Sequence, residues 1–65
     1  MPAAVLAAAR AAVPGITLSG AEREVEHGAT QYCLHGTAAG ERVEVEISPS
    51  GDVLEIEHGD DEEED

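Results

Sequence analysis

Cys33 and His35 are the two residues of this chain best suited to metal or thiol chemistry. One residue separates them, so on a β-strand both side chains project from the same face. In the register that we predict, Glu22 lies opposite His35 and Glu44 lies beside Cys33. Thiolates, imidazoles and carboxylates are all zinc ligands, so these four residues form a candidate zinc site. Because a Cys-x-His pair is a weak signal, we favour the simpler interpretation of a surface Glu22–His35 pair beside an incidental thiol.

A larger set of ionisable residues consists of glutamates that alternate with other residues along three segments. We expect seven of them to project from one sheet face: Glu22, Glu24, Glu26, Glu44, Glu46, Glu55 and Glu57. Glu44 should then lie opposite Glu57, and Glu46 opposite Glu55, where like charges cost about 0.2–1 kcal/mol per pair. Such a face could bind a basic protein surface, or divalent cations such as Ca²⁺. It could also be the solvated face of a salt-adapted protein, since charge runs usually serve solubility.

The serines do not form a recognisable catalytic motif. Ser19, Ser48 and Ser50 fall in predicted turns or linkers, and no nucleophile elbow surrounds them. Acid–base catalysis by carboxylates needs a cleft, and a helix on four short strands leaves little room for a pocket of about 300 Å³ or more. We therefore expect no enzyme, and no cofactor unless the residues above bind Ca²⁺ or Zn²⁺.

Composition excludes several classes of function. The 65 residues include 15 Asp plus Glu but only 3 Arg and no Lys, which gives a formal net charge of -12 at pH 7. With no basic patch and a single Tyr as its aromatic residue, the chain should not bind nucleic acid or an anionic membrane surface. Cys33 is the single cysteine, so no internal disulfide can support the core. No segment approaches the roughly 20 apolar residues of a membrane span. We also expect no signal peptide, because Arg10 interrupts the N-terminal apolar run.

Hydrophobic periodicity predicts an α+β fold. We expect one helix over residues 2–13, because Pro2 suits a first turn and Pro14-Gly15 ends the helix. Four strands are predicted over residues 21–27, 30–36, 41–48 and 53–58. Their connections are too short for crossover helices, so the sheet should be a four-stranded antiparallel meander with the helix packed on it, α-β-β-β-β.

The predicted hairpins also specify partners across the strands. The expected apolar neighbours are Val25–Tyr32, Leu34–Val43, Tyr32–Val45, Val45–Ile56 and Ile47–Leu54. All large apolar side chains then lie on one face that the helix can cover. Arg23 is the exception, since its position faces inward; we expect it to reach solvent at the sheet edge, or a bulge near Ser19-Gly20 to change the alternation.

The chain divides into one domain over residues 1–58 and an acidic tail over residues 59–65. The tail has no apolar side chain to bury and six consecutive carboxylates, so we expect it to be disordered. We expect a monomer or a weak homodimer, because charges such as Glu55 and Glu57 oppose long flat pairing between edge strands.

The order of these features resembles the PepSY family of small α+β domains. The matching segments are residues 4–15, 24–32 and 43–57, which contain the helix with its Pro-Gly end, the Gly turn before a Tyr, and the last hairpin. The resemblance implies a helix packed on an antiparallel sheet, a location outside the cytoplasm, and inhibition or chaperoning of thermolysin-type peptidases, with no catalytic residues.

The leading hypothesis is therefore a non-catalytic domain that modulates a peptidase or another basic partner through its acidic sheet face or an edge strand. The alternatives are a divalent-cation-binding module, formed by the sheet carboxylates and the acidic tail, and a salt-adapted structural domain.

Overall fold

The computed structural model describes residues 1–59, which form one helix and four strands. The elements are α1 (Ala3–Ala12), β1 (Thr17–Glu26), β2 (Ala29–Ala38), β3 (Glu41–Ile47) and β4 (Val53–Gly59). The sheet order is β1-β2-β3-β4 and each neighbouring pair is antiparallel, so the predicted α-β-β-β-β meander is confirmed. Gly59, assigned to the tail from sequence, ends β4, and the predicted disorder of residues 60–65 lies outside the described residues.

Prolines set both ends of α1. Pro2 precedes the helix with φ -62°, and its carbonyl accepts a hydrogen bond from the Val5 N–H at 3.1 Å. At the other end Val13 leaves the helical region, with φ -130° and ψ 84°, because the ring of Pro14 disfavours a helical residue before it. A helix of ten residues is marginal alone in water, so α1 depends on the sheet beneath it. In the described part of the chain no helix has the length and apolar character that a membrane crossing requires.

The core lies between α1 and the middle of the sheet. Its buried side chains are Val5, Ala9, Leu34, Val43, Val45 and Ile47. Because a helix is about 10 Å wide and strands lie about 4.8 Å apart, one helix covers about two strands. Helix α1 packs mainly on β3 and β4, so Val25 on β1 is 61% exposed. The expectation that the helix covers every large apolar residue is therefore wrong.

Two of the three hairpins have turns that differ from the prediction. The β1–β2 turn consists of His27 (φ 54°) and Gly28 (φ 78°), and the β2–β3 turn of Ala39 (φ 54°) and Gly40 (φ 81°). Two successive positive φ values are typical of type I′ turns, whose twist matches that of the strands. The sequence had instead suggested a turn one residue later in the first hairpin and a longer loop in the second.

These turns shift both registers by two residues. Tyr32 lies opposite Arg23 rather than Val25, and Leu34 lies opposite Val45 rather than Val43. Since side chains alternate with a period of two, such a shift changes partners but keeps every side chain on its predicted face. The third hairpin has the predicted Val45–Ile56 pair, but a bulge places Ile47 opposite Val53.

Strand β1 begins earlier than predicted and contains a bulge between Leu18 and Gly20, where the sequence suggested one. The bulge does not turn Arg23 to the other face, since Arg23 lies opposite Tyr32, but its side chain is exposed. Two glycines make this close pairing with β2 possible. A Cβ on Gly20 would lie 2.7 Å from Nε2 of His35, and a Cβ on Gly36 would lie 2.9 Å from Cα of Leu18. Both contacts are far shorter than van der Waals distance. A larger residue at position 36 would push the backbone of β1 away from β2, whereas one at position 20 would displace the His35 ring.

Candidate functional site

The sheet face that turns away from α1, which we call the open face, carries the glutamates singled out in the sequence. The structure places seven there: Glu22, Glu24 and Glu26 from β1, Glu44 and Glu46 from β3, and Glu55 and Glu57 from β4. The glutamates share this face because side chains alternate between the two faces of a strand. Val45, between Glu44 and Glu46, accordingly points to the other face and is fully buried. The result is a sheet with one apolar face and one acidic face.

The glutamates of β3 and β4 form pairs across the strands. Glu44 lies opposite Glu57, and Glu46 lies opposite Glu55, as the sequence predicted. Along β4, a side-chain hydrogen bond with Glu55 raises the pKa of Glu57, and the negative charge of Glu55 raises it further. A carboxyl group that holds its proton more tightly than usual indicates crowded negative charge at this end of the open face.

Cys33 lies in the middle of the open face, between Glu22 on β1 and Glu46 on β3. Its pKa is raised, mainly by desolvation and then by the charges of Glu44, Glu24, Glu46 and Glu22. The thiol is therefore neutral at pH 7, and a neutral thiol is a poor nucleophile and a poor metal ligand.

The predicted zinc site depended on Glu22 lying opposite His35, and that pairing is wrong. Glu22 pairs with Cys33, whereas His35 lies between Gly20 and Glu44. The first turn causes this difference, because it lies one residue earlier than predicted and so shifts β1 by two residues along β2. Among residues 1–59, no group of three or more His, Cys, Asp or Glu side chains is arranged to hold a metal ion.

A groove that the sequence did not predict lies at one end of the open face. Its volume is about 310 Å³, and its lining includes Ser19, His35, Arg42, Glu44 and Glu57. It therefore reaches the lower limit of small-molecule pockets, contrary to the expectation that this fold leaves little room for one. The β1 bulge brings Ser19 beside His35, and no pattern in the sequence signals that contact.

The serine hydroxyls are engaged in local hydrogen bonds. Ser19 Oγ donates to the His35 carbonyl at 3.2 Å and lies 3.4 Å from Nδ1 of the same residue. A serine nucleophile must instead transfer its proton to a base. Ser48 and Ser50 lie in the β3–β4 loop, where Ser48 Oγ accepts the Asp52 N–H at 3.0 Å and Ser50 Oγ donates to the Asp52 carboxylate at 3.2 Å. These are the contacts of residues that shape a bulge and a turn.

The edge strand β4 exposes apolar side chains that sequence reasoning had assigned to the core. Val53 is 42% exposed, Leu54 53% and Ile56 39%. Strand β4 is last in the sheet order, and within residues 1–59 no strand pairs with its outer edge. Helix α1 packs on β3 and β4, but it leaves these side chains of the outermost strand partly uncovered.

A comparison of the chain with protein-family models, curated proteins and solved structures finds no match. The class that the fold and the site define is a small α+β meander domain with an acidic open face and an unpaired apolar edge.

Proposed function

We propose that this chain is a non-catalytic, PepSY-like binding domain whose open face binds a basic surface on a protein partner. The observation that carries the proposal is the segregation of charge. Seven glutamates share the open face, whereas α1, with the sequence AAVLAAARAA, has no acidic residue.

Solubility alone does not account for this distribution. The same negative charge spread over the exposed surface of α1 would avoid the like-charge pairs Glu44–Glu57 and Glu46–Glu55. An acidic residue in the first turn of α1 would also be stabilised by the helix dipole, and that turn has none. The chain places its carboxylates where they repel one another, which favours a role in binding over one in solubility.

Within this proposal the partner is a peptidase of the thermolysin type, or another protein with a surface rich in Lys and Arg, outside the cytoplasm. Complementary charge would accelerate the encounter and orient it. A non-catalytic role is supported by the neutral thiol of Cys33 and by the hydrogen bond from the Ser19 hydroxyl to a carbonyl.

The test is calorimetric titration of the full chain with a mature thermolysin-type peptidase that has a Lys- or Arg-rich surface, together with an inhibition assay. Glu44→Gln with Glu46→Gln removes two open-face charges and should weaken binding by roughly 2- to 30-fold, from 0.2–1 kcal/mol per exposed pair. Glu41→Gln with Asp52→Asn is the matched control, because it removes the same charge away from the open face and should weaken binding by less. Binding that resists salt and is unaffected by the open-face substitutions would contradict the proposal.

A further inference from the structure

We infer that the basic partner is bound as an extended segment that pairs with the outer edge of β4 and adds a fifth strand to the sheet. This inference rests on the proposed function and specifies the form in which the partner is recognised. Three properties of β4 carry it: an unpaired backbone edge, exposed apolar side chains, and carboxylates that alternate with them.

The backbone of β4 is accessible along the strand. Every residue from Val53 to His58 is exposed, and within residues 1–59 the outer edge has no partner strand. Natural proteins usually protect such an edge with charged side chains, especially Lys, with Pro or with a bulge. Glu55 and Glu57 oppose pairing with an acidic or identical strand but not with a basic one. Strand β4 contains no Lys and no Pro, and its bulge, opposite Ile47, is confined to its first residues. The rest of the edge is a regular template for strand addition.

The side chains of β4 specify what kind of segment fits. Glu55 and Glu57 lie on the open face, whereas Ile56 lies on the helix side opposite Val45. An added strand continues the same alternation, so its residues beside the glutamates share the open face and those beside Ile56 share the helix side. Charge complementarity therefore selects a segment in which Lys or Arg alternates with apolar residues.

A second copy of the chain fits this edge less well. Residues opposite each other in a sheet lie on the same face, so two antiparallel β4 strands would place Glu55 and Glu57 against the same glutamates of the other copy. The other edge strand is also a poorer site, because Arg23 adds positive charge to β1 and would repel a basic segment.

The experiment titrates the full chain, at low ionic strength, with a capped peptide of alternating lysine and valine whose length matches the seven residues of β4. The control peptide has the same composition with all lysines before the valines. We expect the alternating peptide to bind more tightly, and we expect hydrogen exchange to slow in β4 but not in β1. Equal affinity of the two peptides would overturn the inference.

Substitutions distinguish binding at the β4 edge from binding to the open face as a whole. Glu55→Gln with Glu57→Gln should weaken the binding of the alternating peptide by roughly 2- to 30-fold. Glu22→Gln with Glu24→Gln removes the same charge from the same face at the opposite edge, and should have a clearly smaller effect. Equal loss in both variants would overturn strand addition but leave the proposed function standing, whereas a failure of the basic protein to bind at all would overturn the proposed function.

Discussion

Replacing Glu57 with lysine should stabilise the fold, because Glu57 lies opposite Glu44 on the neighbouring strand. A like-charge pair in this position costs about 0.2–1 kcal/mol, and an opposite-charge pair stabilises by a similar amount. The expected gain in the free energy of unfolding is the sum of the two, about 0.4–2 kcal/mol. The hydrogen bond with Glu55 and the charge of Glu55 raise the pKa of Glu57, so a lysine at position 57 would also lie beside the carboxylate of Glu55.

The assay is thermal and urea unfolding at pH 7, followed by circular dichroism. For a domain of this size 1 kcal/mol shifts Tm by roughly 4–8 °C, so Glu57→Lys should raise Tm by about 2–16 °C. The control is Glu41→Lys, which makes the same charge change on β3 but opposite Ala38. Salt at about 1 M, where the Debye length is about 3 Å, should reduce the difference between the variants. Equal stabilisation by both at low salt would refute the argument from cross-strand repulsion.

Two further substitutions test local geometry and thiol chemistry. Gly51→Ala should destabilise the fold by about 1–2 kcal/mol in urea unfolding, because Gly51 has φ +99° and a Cβ there would lie 3.2 Å from the Ala4 carbonyl oxygen. Gly15→Ala, at φ +81° with open space around it, should cost less, and an equal cost would contradict the contact with α1. Cys33, whose pKa is raised by desolvation and neighbouring carboxylates, should react with iodoacetamide more slowly in the folded than in the unfolded chain, and Glu44→Gln should speed the reaction. Equal alkylation rates in the folded and unfolded chain would contradict the raised pKa. Because the pKa of Cys33 is higher in the folded chain than in the unfolded chain, its contribution to stability is complete below the ordinary thiol pKa of about 8.5. That contribution is lost as the pH rises above this value.

The faces of the sheet could be predicted from the sequence, but the strand partners could not. Glutamates and apolar residues alternate with a period of two in β3, which fixes the face of each residue whatever the register. The register depends on the turns, and His27 and Ala39 are not residues that usually occupy the first position of a type I′ turn. The expected pairing of Glu22 with His35, on which the candidate zinc site was based, is wrong for this reason, since Glu22 lies opposite Cys33.

Features that depend on how far one element reaches over another were also missed. Hydrophobicity placed Val25 and Ile56 in the core, but α1 does not reach Val25 on β1. Ile56 lies on the outermost strand β4 and stays 39% exposed although the helix packs on that strand. The groove beside Arg42 depends on the β1 bulge, which brings Ser19 against His35. The sequence suggested the bulge because Arg23 would otherwise face inward, and the cavity beside the bulge becomes apparent only when the strands are paired.

The central claim is that the open face, and not net charge alone, binds a basic partner. The most direct measurement is the affinity for the basic peptidase as a function of salt, for the wild-type chain, the Glu44→Gln/Glu46→Gln variant and the Glu41→Gln/Asp52→Asn control. We expect affinity to fall with salt, and the open-face variant to bind more weakly than the control although both have the same net charge. Equal affinities for the two variants, or an affinity that does not change with salt, would contradict the claim.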